Sequence, residues 1–319
     1  MATAPFVIVP ALTAIAVAYK QGNLIADDVL PRVPVAGQAF RYNKFALGEA
    51  FTAPDTRVGR RGAPNQVEFG STEVQDATVD HALDSPVPNA DQNAWIAANA
   101  AGQGMVGTAD PQSRATAQVT GLVQTRREKR AADLVFNSAS YATANKLTLS
   151  GTSQWSDYTN SKPQTAINAA LDSMIMRPTV AVFGRLTWSA LSCNPQLCQA
   201  IFKNGTNAGQ VSKQQFADLF ELEDVLIGDA WINTANKGQA PTVVRLWGKH
   251  AAFLHRNKQA DTEFGVTFGF TAQFGERVAG LIEDADVGMN GGVRVRSGES
   301  VKELITANDL GFFFENAIA

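Results

Sequence analysis

The chain has 319 residues, of which 45% are hydrophobic and 18% are charged, and its formal net charge is −3. This hydrophobic content excludes global disorder, and the length is sufficient for two or three domains of ordinary size. The slight negative charge argues against a dedicated nucleic-acid-binding protein, so any contact with nucleic acid is expected to be local and weak.

Residues 1–36 are predicted to form an N-terminal arm. Leu12, Ile15, Ala16 and Tyr19 recur at the spacing of one face of a short helix. The apolar stretch that contains them lacks a basic start, is interrupted by prolines and is too short to cross a bilayer. We therefore expect neither a cleaved signal peptide nor a membrane anchor.

The segment 37–92 combines strand-like patterning with a charge distribution that is split in two. Residues 37–61 carry five basic and two acidic side chains (5 − 2 = +3), and residues 62–91 carry six acidic and no basic ones (−6). Among these charged residues we single out Arg57, Arg60, Arg61, Glu73, Asp76 and Asp80. Large hydrophobic residues are sparse, so the segment cannot bury enough apolar surface to hold itself down.

Two interpretations of the split-charge segment follow. It is either a loop that lies on another molecule, with one positive and one negative edge, or a solvated hairpin on an ordinary domain. The alternations of Val67 with Phe69 and of Val79 with Leu83 predict strands within it. The proline-rich stretch 85–89 is predicted to be a turn or linker that closes the segment.

A long helix is predicted to follow, because Asp110 and Pro111 form a strong helix start. No further proline occurs before Phe136, so the helix could reach about 39 Å. Its apolar stripe is sparse, which suggests a strut rather than a bundle core. Its second half carries four basic residues, which are Arg126, Arg127, Lys129 and Arg130.

These four basic residues allow three interpretations. They could hold nucleic acid, they could form a solvated helix face, or they could bind the acidic limb of another copy of the chain. We favour the third interpretation because the charges match.

Residues 163–258 are predicted to form a compact mixed α/β unit. Pro163 opens a helix with Ile167, Leu171 and Ile175 on one face, and 179–183 is predicted to be a buried strand. A further helix around Trp188 and one capped by Ser212 with Gln215 follow, and strands are expected at 224–232 and 242–254.

The C-terminal region contains the clearest strand pattern of the chain. Residues 264–274 alternate strictly between apolar and other residues, and 293–296 and 311–314 predict further strands. The long helix has no other evident apolar partner. We therefore expect 93–162 and 259–319 to form one domain, into which 163–258 is inserted.

Motifs for catalysis or cofactor binding are weak. Gly102, Gly104 and Gly107 match a dinucleotide fingerprint by letter, but no strand precedes them and no helix starts directly after them. Cys193 and Cys198 match neither a redox pair nor a metal knuckle and are expected to be two buried thiols. No nucleophile elbow, phosphate loop or zinc-helix motif occurs. We expect no enzyme activity, no metal and no cofactor.

The chain resembles the major capsid proteins of tailed bacteriophages. The resemblance is carried by an ordered set of stretches, which are 40–45, 51–61, 80–89, 293–300 and 308–314. It implies an α+β architecture of the Hong Kong 97 type, which encapsulins share. The resemblance assigns 1–36 to an N-terminal arm, 37–92 to an extended loop, 93–162 with 259–319 to a peripheral domain with a spine helix at 111–136, and 163–258 to an axial domain.

The resemblance also implies a function. The chain would assemble with itself into the pentamers and hexamers of an icosahedral phage head around double-stranded DNA, which it would contact weakly and without sequence specificity. A separate scaffolding protein, a portal and decoration proteins are the other expected partners, no membrane is involved, and assembly is expected in the cytoplasm of the host bacterium. The alternatives are an encapsulin-like compartment shell and, more remotely, an enzyme that uses the Gly102–Gly107 turn.

Overall fold

The computed structural model of the chain describes residues 7–18, 24–45, 53–58, 60–66, 71–100, 110–202, 209–236, 238–262 and 264–319. The α-helices in these ranges are α1 (Pro10–Ala18), α2 (Ala26–Val29), α3 (Asn89–Ala100), α4 (Pro111–Val135), α5 (Pro163–Ser173), α6 (Arg185–Ser192), α7 (Pro195–Phe202) and α8 (Lys213–Phe220). Short 3-10 turns lie at Ser138–Ser140, Thr143–Asn145, Gly151–Ser153 and Asn308–Leu310. Tyr19, Val67, Phe69 and the Gly102–Gly107 turn lie outside the described residues.

The strands in the same ranges form two larger sheets and two hairpins. They are β1 (Val7–Ile8), β2 (Arg32–Val35), β3 (Ala39–Phe45), β4 (Ser71–Ala77), β5 (Val79–Pro88), β6 (Lys146–Thr148), β7 (Val180–Gly184), β8 (Asp224–Gly228), β9 (Trp231–Asn233), β10 (Val243–Arg245), β11 (Ala251–Leu254), β12 (Gly269–Asp284), β13 (Gly292–Ile305) and β14 (Gly311–Glu315). The mixture of helices and both parallel and antiparallel strands is the predicted α+β class.

The first sheet has the order β1-β12-β13-β5, and β2 also pairs with β12. Its centre is the long antiparallel pair β12–β13, whose register shifts between Phe274 and Val278. The helix α4 lies across this sheet, where Ala115 packs with Val87 and Val295, and the hydroxyls of Thr120 and Ser297 are 2.9 Å apart. The long helix therefore has an apolar and a polar contact with the sheet beneath it.

The start of α4 is as predicted. The Asp110 carboxylate accepts a hydrogen bond of 3.0 Å from the backbone N–H of Ser113, and Pro111 occupies the first turn, where its missing N–H costs nothing. The same agreement holds at α8, where Ser212 and Gln215 form the reciprocal capping box.

The second sheet has the order β6-β14-β11-β7-β8 and carries the largest core of the molecule. Phe183, Phe253 and Phe314 from three of its strands pack together with Trp155, and all four are fully buried. The predicted helix face at Ile167 and Leu171 covers this core. Ile175 does not, because α5 ends at Ser173, and Ile175 is 51% exposed.

Two strands from the predicted peripheral domain, β6 and β14, lie in the second sheet with β7, β8 and β11, and β14 lies between β6 and β11. The reason is hydrophobic: Phe312 and Phe314 pack in the core that contains Phe183 and Phe253, and Phe313 packs in the core on the other side of the sheet. The division into four parts stays a prediction.

Other expectations differ in detail. Residues 85–88 are not a turn but the end of β5, and prolines are tolerated there because β5 is an edge strand among the described residues. Phe264 lies outside β12 and is 72% exposed, since Gly265 with a φ of 89° turns the chain before the strand begins. Cys198 is buried as expected, but Cys193 is exposed.

Candidate intersubunit surface

The first part of the split-charge segment is bounded by the antiparallel hairpin of β3 and β4, and its last strand, β5, pairs with β13 in the first sheet. The pairs run from Ala39 with Ala77 to Phe45 with Ser71. The hairpin is attached to its own subunit by Phe40 and Tyr42, which pack against Phe270 in the first sheet. Its base is therefore fixed by apolar contacts, which the sequence pattern did not reveal.

Part of the acidic limb is neutralised within the subunit. Glu73 lies 3.1 Å from the guanidinium of Arg41 on the neighbouring strand, and both side chains are more than half exposed. Asp76 is 3.6 Å from the ammonium group of Lys302. Asp80 is exposed and accepts a hydrogen bond of 3.3 Å from Gln38. Exposed ion pairs of this kind contribute only about 0–1 kcal/mol each to stability.

The basic residues between the two strands have no such partners in the part of the chain that the structure describes. Residues 53–58 and 60–66 are exposed and have no helix or strand, and local hydrogen bonds shape them: Arg57 donates its backbone N–H to the Asp55 carboxylate (2.9 Å), and Asn65 donates to the Asp55 carbonyl (2.7 Å). Within the described residues, the side chains of Arg57, Arg60 and Arg61 form no hydrogen bond or salt bridge. They are three exposed cations within five residues of the chain, and they can bind another molecule.

The four basic residues of α4 are not equivalent. Arg126 is exposed, whereas Arg127 is buried and pairs with Asp27 and with the hydroxyl of Thr271. Lys129 pairs with Asp133 one turn further along the helix, at 2.6 Å. Arg130 donates two hydrogen bonds, of 3.0 and 3.1 Å, to the carboxylate of Glu303.

These pairings limit what the helix can offer to another subunit. Arg127 is only 3% exposed and holds its own chain together, so it is not a surface residue of this subunit. Arg130 and Lys129 would have to exchange partners. Arg126 is left as the exposed cation of the set. That any of the four residues contacts a second copy stays a prediction.

Arg127 belongs to a buried network that the sequence did not indicate. Arg32 bridges Asp27 and Glu299, and Arg277 also binds Glu299 at 3.1 Å. Burial would raise the pKa of Glu299, but Arg32, Arg277 and Arg127 outweigh burial and hold that pKa below its usual value. The partners are far apart in the chain and show no common spacing, so no local pattern could have found them.

Glu128, next to Arg127, joins three parts of the chain. Its carboxylate accepts hydrogen bonds from the backbone N–H groups of Ile25 and Ala26 and from the indole of Trp247. Burial raises the pKa of this carboxyl group, and the three donors oppose that effect. The N-terminal segment, the long helix and the stretch around Trp247 are thereby held together at one side chain.

Clusters of metal ligands and membrane-spanning helices are both absent from the part of the chain that is described. No cluster of three or more His, Cys, Asp or Glu side chains there could hold a metal ion. No helix in the same residues is long and apolar enough to cross a membrane.

Comparison with known proteins gives a consistent result. No protein-family model matches the chain. It is 50% identical over the full length of both chains to the major capsid protein of Pseudomonas phage JBD67. It is 26% identical to the major capsid protein of Burkholderia phage BcepMu, with 82% of each chain covered.

Solved structures show the same fold. A phage-related protein from Bordetella bronchiseptica RB50 superposes with a TM-score of 0.73 at 20% identity and covers 98% of this chain and 99% of its own. The capsid of cyanophage P-SCSP1u superposes with a TM-score of 0.57 at 10% identity, with 99% of this chain and 92% of the other covered. The predicted resemblance and fold class are thus confirmed: the chain belongs to the bacteriophage major capsid proteins and has the Hong Kong 97-type fold.

Proposed function

We propose that the chain assembles with itself into the icosahedral shell of a phage head, as rings of five and six subunits. The observation that carries this proposal is the 50% identity, without a terminal gap, to a phage major capsid protein. Rings of this kind form when one surface of a subunit binds a different surface of the next one and the rotation closes. The role is structural, so no catalytic step is assigned to any residue.

The exposed segment around Arg57, Arg60 and Arg61 is proposed to contact a neighbouring subunit. Three observations support this: the side chains are exposed, they have no hydrogen-bond or ion-pair partner among the described residues, and the base of the hairpin is anchored to its own subunit. Each ion pair would be weak on its own. Repetition over every subunit of a shell makes the sum large, and the weakness of each contact lets misplaced subunits leave.

Arg126 of a neighbouring subunit is proposed as the partner of the acidic residues. Of the helix residues that were predicted to receive Glu73, Asp76 and Asp80, Arg126 is the one that is exposed and outside the internal pairs described above. A contact that includes Lys129 or Arg130 would require those residues to leave Asp133 or Glu303.

Other partners are proposed from the family alone. Packaged double-stranded DNA would be held by weak, non-specific contacts at the inner surface, which suits a chain of net charge −3. A separate scaffolding protein, a portal and decoration proteins would complete the head, which would be built in the host cytoplasm.

An encapsulin-like compartment is the second candidate for a shell of this fold. The 50% identity to a phage major capsid protein favours the phage head over this candidate.

Electron microscopy and sedimentation test the proposal. The chain should form closed shells when it is expressed with the other head genes of its phage. A triple variant with Arg57→Glu, Arg60→Glu and Arg61→Glu should lose shells while the subunit stays folded by circular dichroism.

The matched control reverses the same number of charges at Lys146, Lys213 and Lys258, which are also exposed and lie outside the hairpin. Monomers or small rings under every condition would refute the capsid role of the unaltered protein. Equal shell yields from the two triple variants would refute the loop contact alone.

A further inference from the structure

The hairpin of β9 and β10 exposes apolar side chains on both of its faces. The two strands pair only with each other among the described residues, with Val243 opposite Asn233, Val244 opposite Ile232 and Arg245 opposite Trp231. A two-stranded hairpin without a covering layer is marginally stable in water.

Side chains alternate between the faces of a strand. Trp231 and Val243 therefore share one face, where they are 50% and 53% exposed. Ile232 and Val244 share the opposite face, and Val244 is 40% exposed. An apolar surface on each side of the same hairpin indicates that each face binds a partner, which can be two different proteins or two copies of one protein.

The hairpin is held in a defined orientation at its base. Arg245 forms an ion pair with the carboxylate of Asp229, and its guanidinium lies 4.1 Å from the centre of the Trp231 ring. The backbone N–H of Leu246 donates to the Ala230 carbonyl at 2.9 Å. Trp231 is thus exposed but fixed, and an ordered aromatic ring next to an arginine is typical of the residues that dominate binding energies at interfaces.

We infer that this hairpin joins successive subunits of a ring, with the Trp231–Val243 face of one copy seated on the Ile232–Val244 face of the next. The inference rests on the proposed self-assembly and names the surface through which one part of it occurs. A closed ring needs two different, complementary surfaces on each subunit, and the hairpin carries both on one element. The Ile232–Val244 face is apolar. The Trp231–Val243 face also carries Asn233, whose side-chain oxygen accepts hydrogen bonds within the hairpin, and Arg245, whose charge Asp229 neutralises, so stacking the two faces leaves no charge unpaired.

Disulfide trapping tests the arrangement. In a background with Cys193→Ser, which removes the exposed thiol, Val243→Cys and Val244→Cys are introduced singly and together. Shells are assembled, oxidised, dissolved in detergent without reductant and separated by mass. Because opposite faces meet, the double variant should give a ladder of linked chains up to the size of the ring, and each single variant should remain monomeric.

Each result decides between arrangements. Linked dimers from either single variant would overturn the inference, since like faces would then meet. Shells of normal yield without any crosslink in the double variant would overturn it too, but would leave self-assembly intact. Failure of the unaltered chain to form shells would instead refute the proposed function. Trp231→Ala should reduce shell yield more than ten-fold, whereas Phe264→Ala, at another exposed aromatic residue, should not.

Discussion

The indole Nε1 of Trp247 donates a hydrogen bond of 2.6 Å to the Oε1 of Glu128, in the second half of the long helix α4. The other oxygen of the carboxylate accepts the N–H of Ala26 at 2.8 Å. Glu128 is 1% exposed, so bulk water does not reach these donors and cannot take the place of the carboxylate as their acceptor.

Replacing Glu128 should therefore destabilise the subunit in proportion to the acceptors that are lost. Glu128→Ala leaves three buried donors unsatisfied and should lower the free energy of unfolding by about 3–5 kcal/mol, since each such group costs about 1–3 kcal/mol. Glu128→Gln keeps one acceptor oxygen and should cost about half as much. Urea denaturation of the unassembled subunit measures both, with Glu276→Gln, at an exposed carboxylate, as the control. Equal stability of Glu128→Ala and the control would show that the junction carries no energy.

Arg126 and Arg127 provide a matched pair on the same helix. Arg127→Ala removes a guanidinium that is 3% exposed, together with its contacts to the buried Thr271 hydroxyl and the buried Glu303 carboxylate, which should cost about 1–3 kcal/mol. Arg126→Ala removes an exposed side chain and should change the stability by less than about 0.5 kcal/mol.

Shell yield, unlike stability, should depend on the exposed arginine of this pair. If Arg126 contacts a neighbour, Arg126→Glu should reduce shell yield from a subunit of unchanged melting temperature. Similar losses of stability in the two alanine variants would contradict the distinction between a buried and an exposed arginine.

Two phenylalanines test where the C-terminal strand belongs. Phe314 is fully buried in the second sheet, and Phe264 is 72% exposed. Phe314→Ala should lower the free energy of unfolding by about 3–5 kcal/mol, because it removes a large side chain from a packed core. Phe264→Ala should cost less than about 0.5 kcal/mol.

The strands that lose stability in Phe314→Ala also test the position of β14. Hydrogen exchange of Phe314→Ala should show lost protection in β7 and β11, which share the sheet of β14. Loss confined to β12 and β13 would place the C-terminal strand in the first sheet instead.

Acid should weaken the network around Glu299. The pKa of this carboxyl group is held below the value of about 4.3 that it has in an unfolded chain, so its contribution to stability is present above that value and is lost as the pH falls through the folded pKa. The free energy of unfolding should therefore decrease as the pH is lowered from about 5 to about 3. Glu299→Gln should be less stable at neutral pH and should show a smaller slope in this range. A variant with an unchanged slope would assign the acid sensitivity to other carboxylates.

Local chemistry along the chain was sufficient to predict many elements. The start of α4 at Asp110 and Pro111, the capping box at Ser212 and the apolar alternation of Phe268, Phe270 and Ala272 each specify a structure within a few residues. The resemblance to phage capsid proteins also needed only the order of such stretches. The exposed cations at Arg57, Arg60 and Arg61 could be predicted for the same reason, since a group of like charges close together in the sequence can be recognised without the structure.

The tertiary structure alone decided which of two adjacent arginines is buried, which sheet receives β14 and which residues meet Glu128. Each of these depends on partners that lie about a hundred or more residues away, such as Asp27 for Arg127 and Trp247 for Glu128. The sequence determined the elements and the family, because caps, periodicity and charge act over short distances. Packing determined the assignment of charged residues to core or surface, because burial is a property of the assembled sheets.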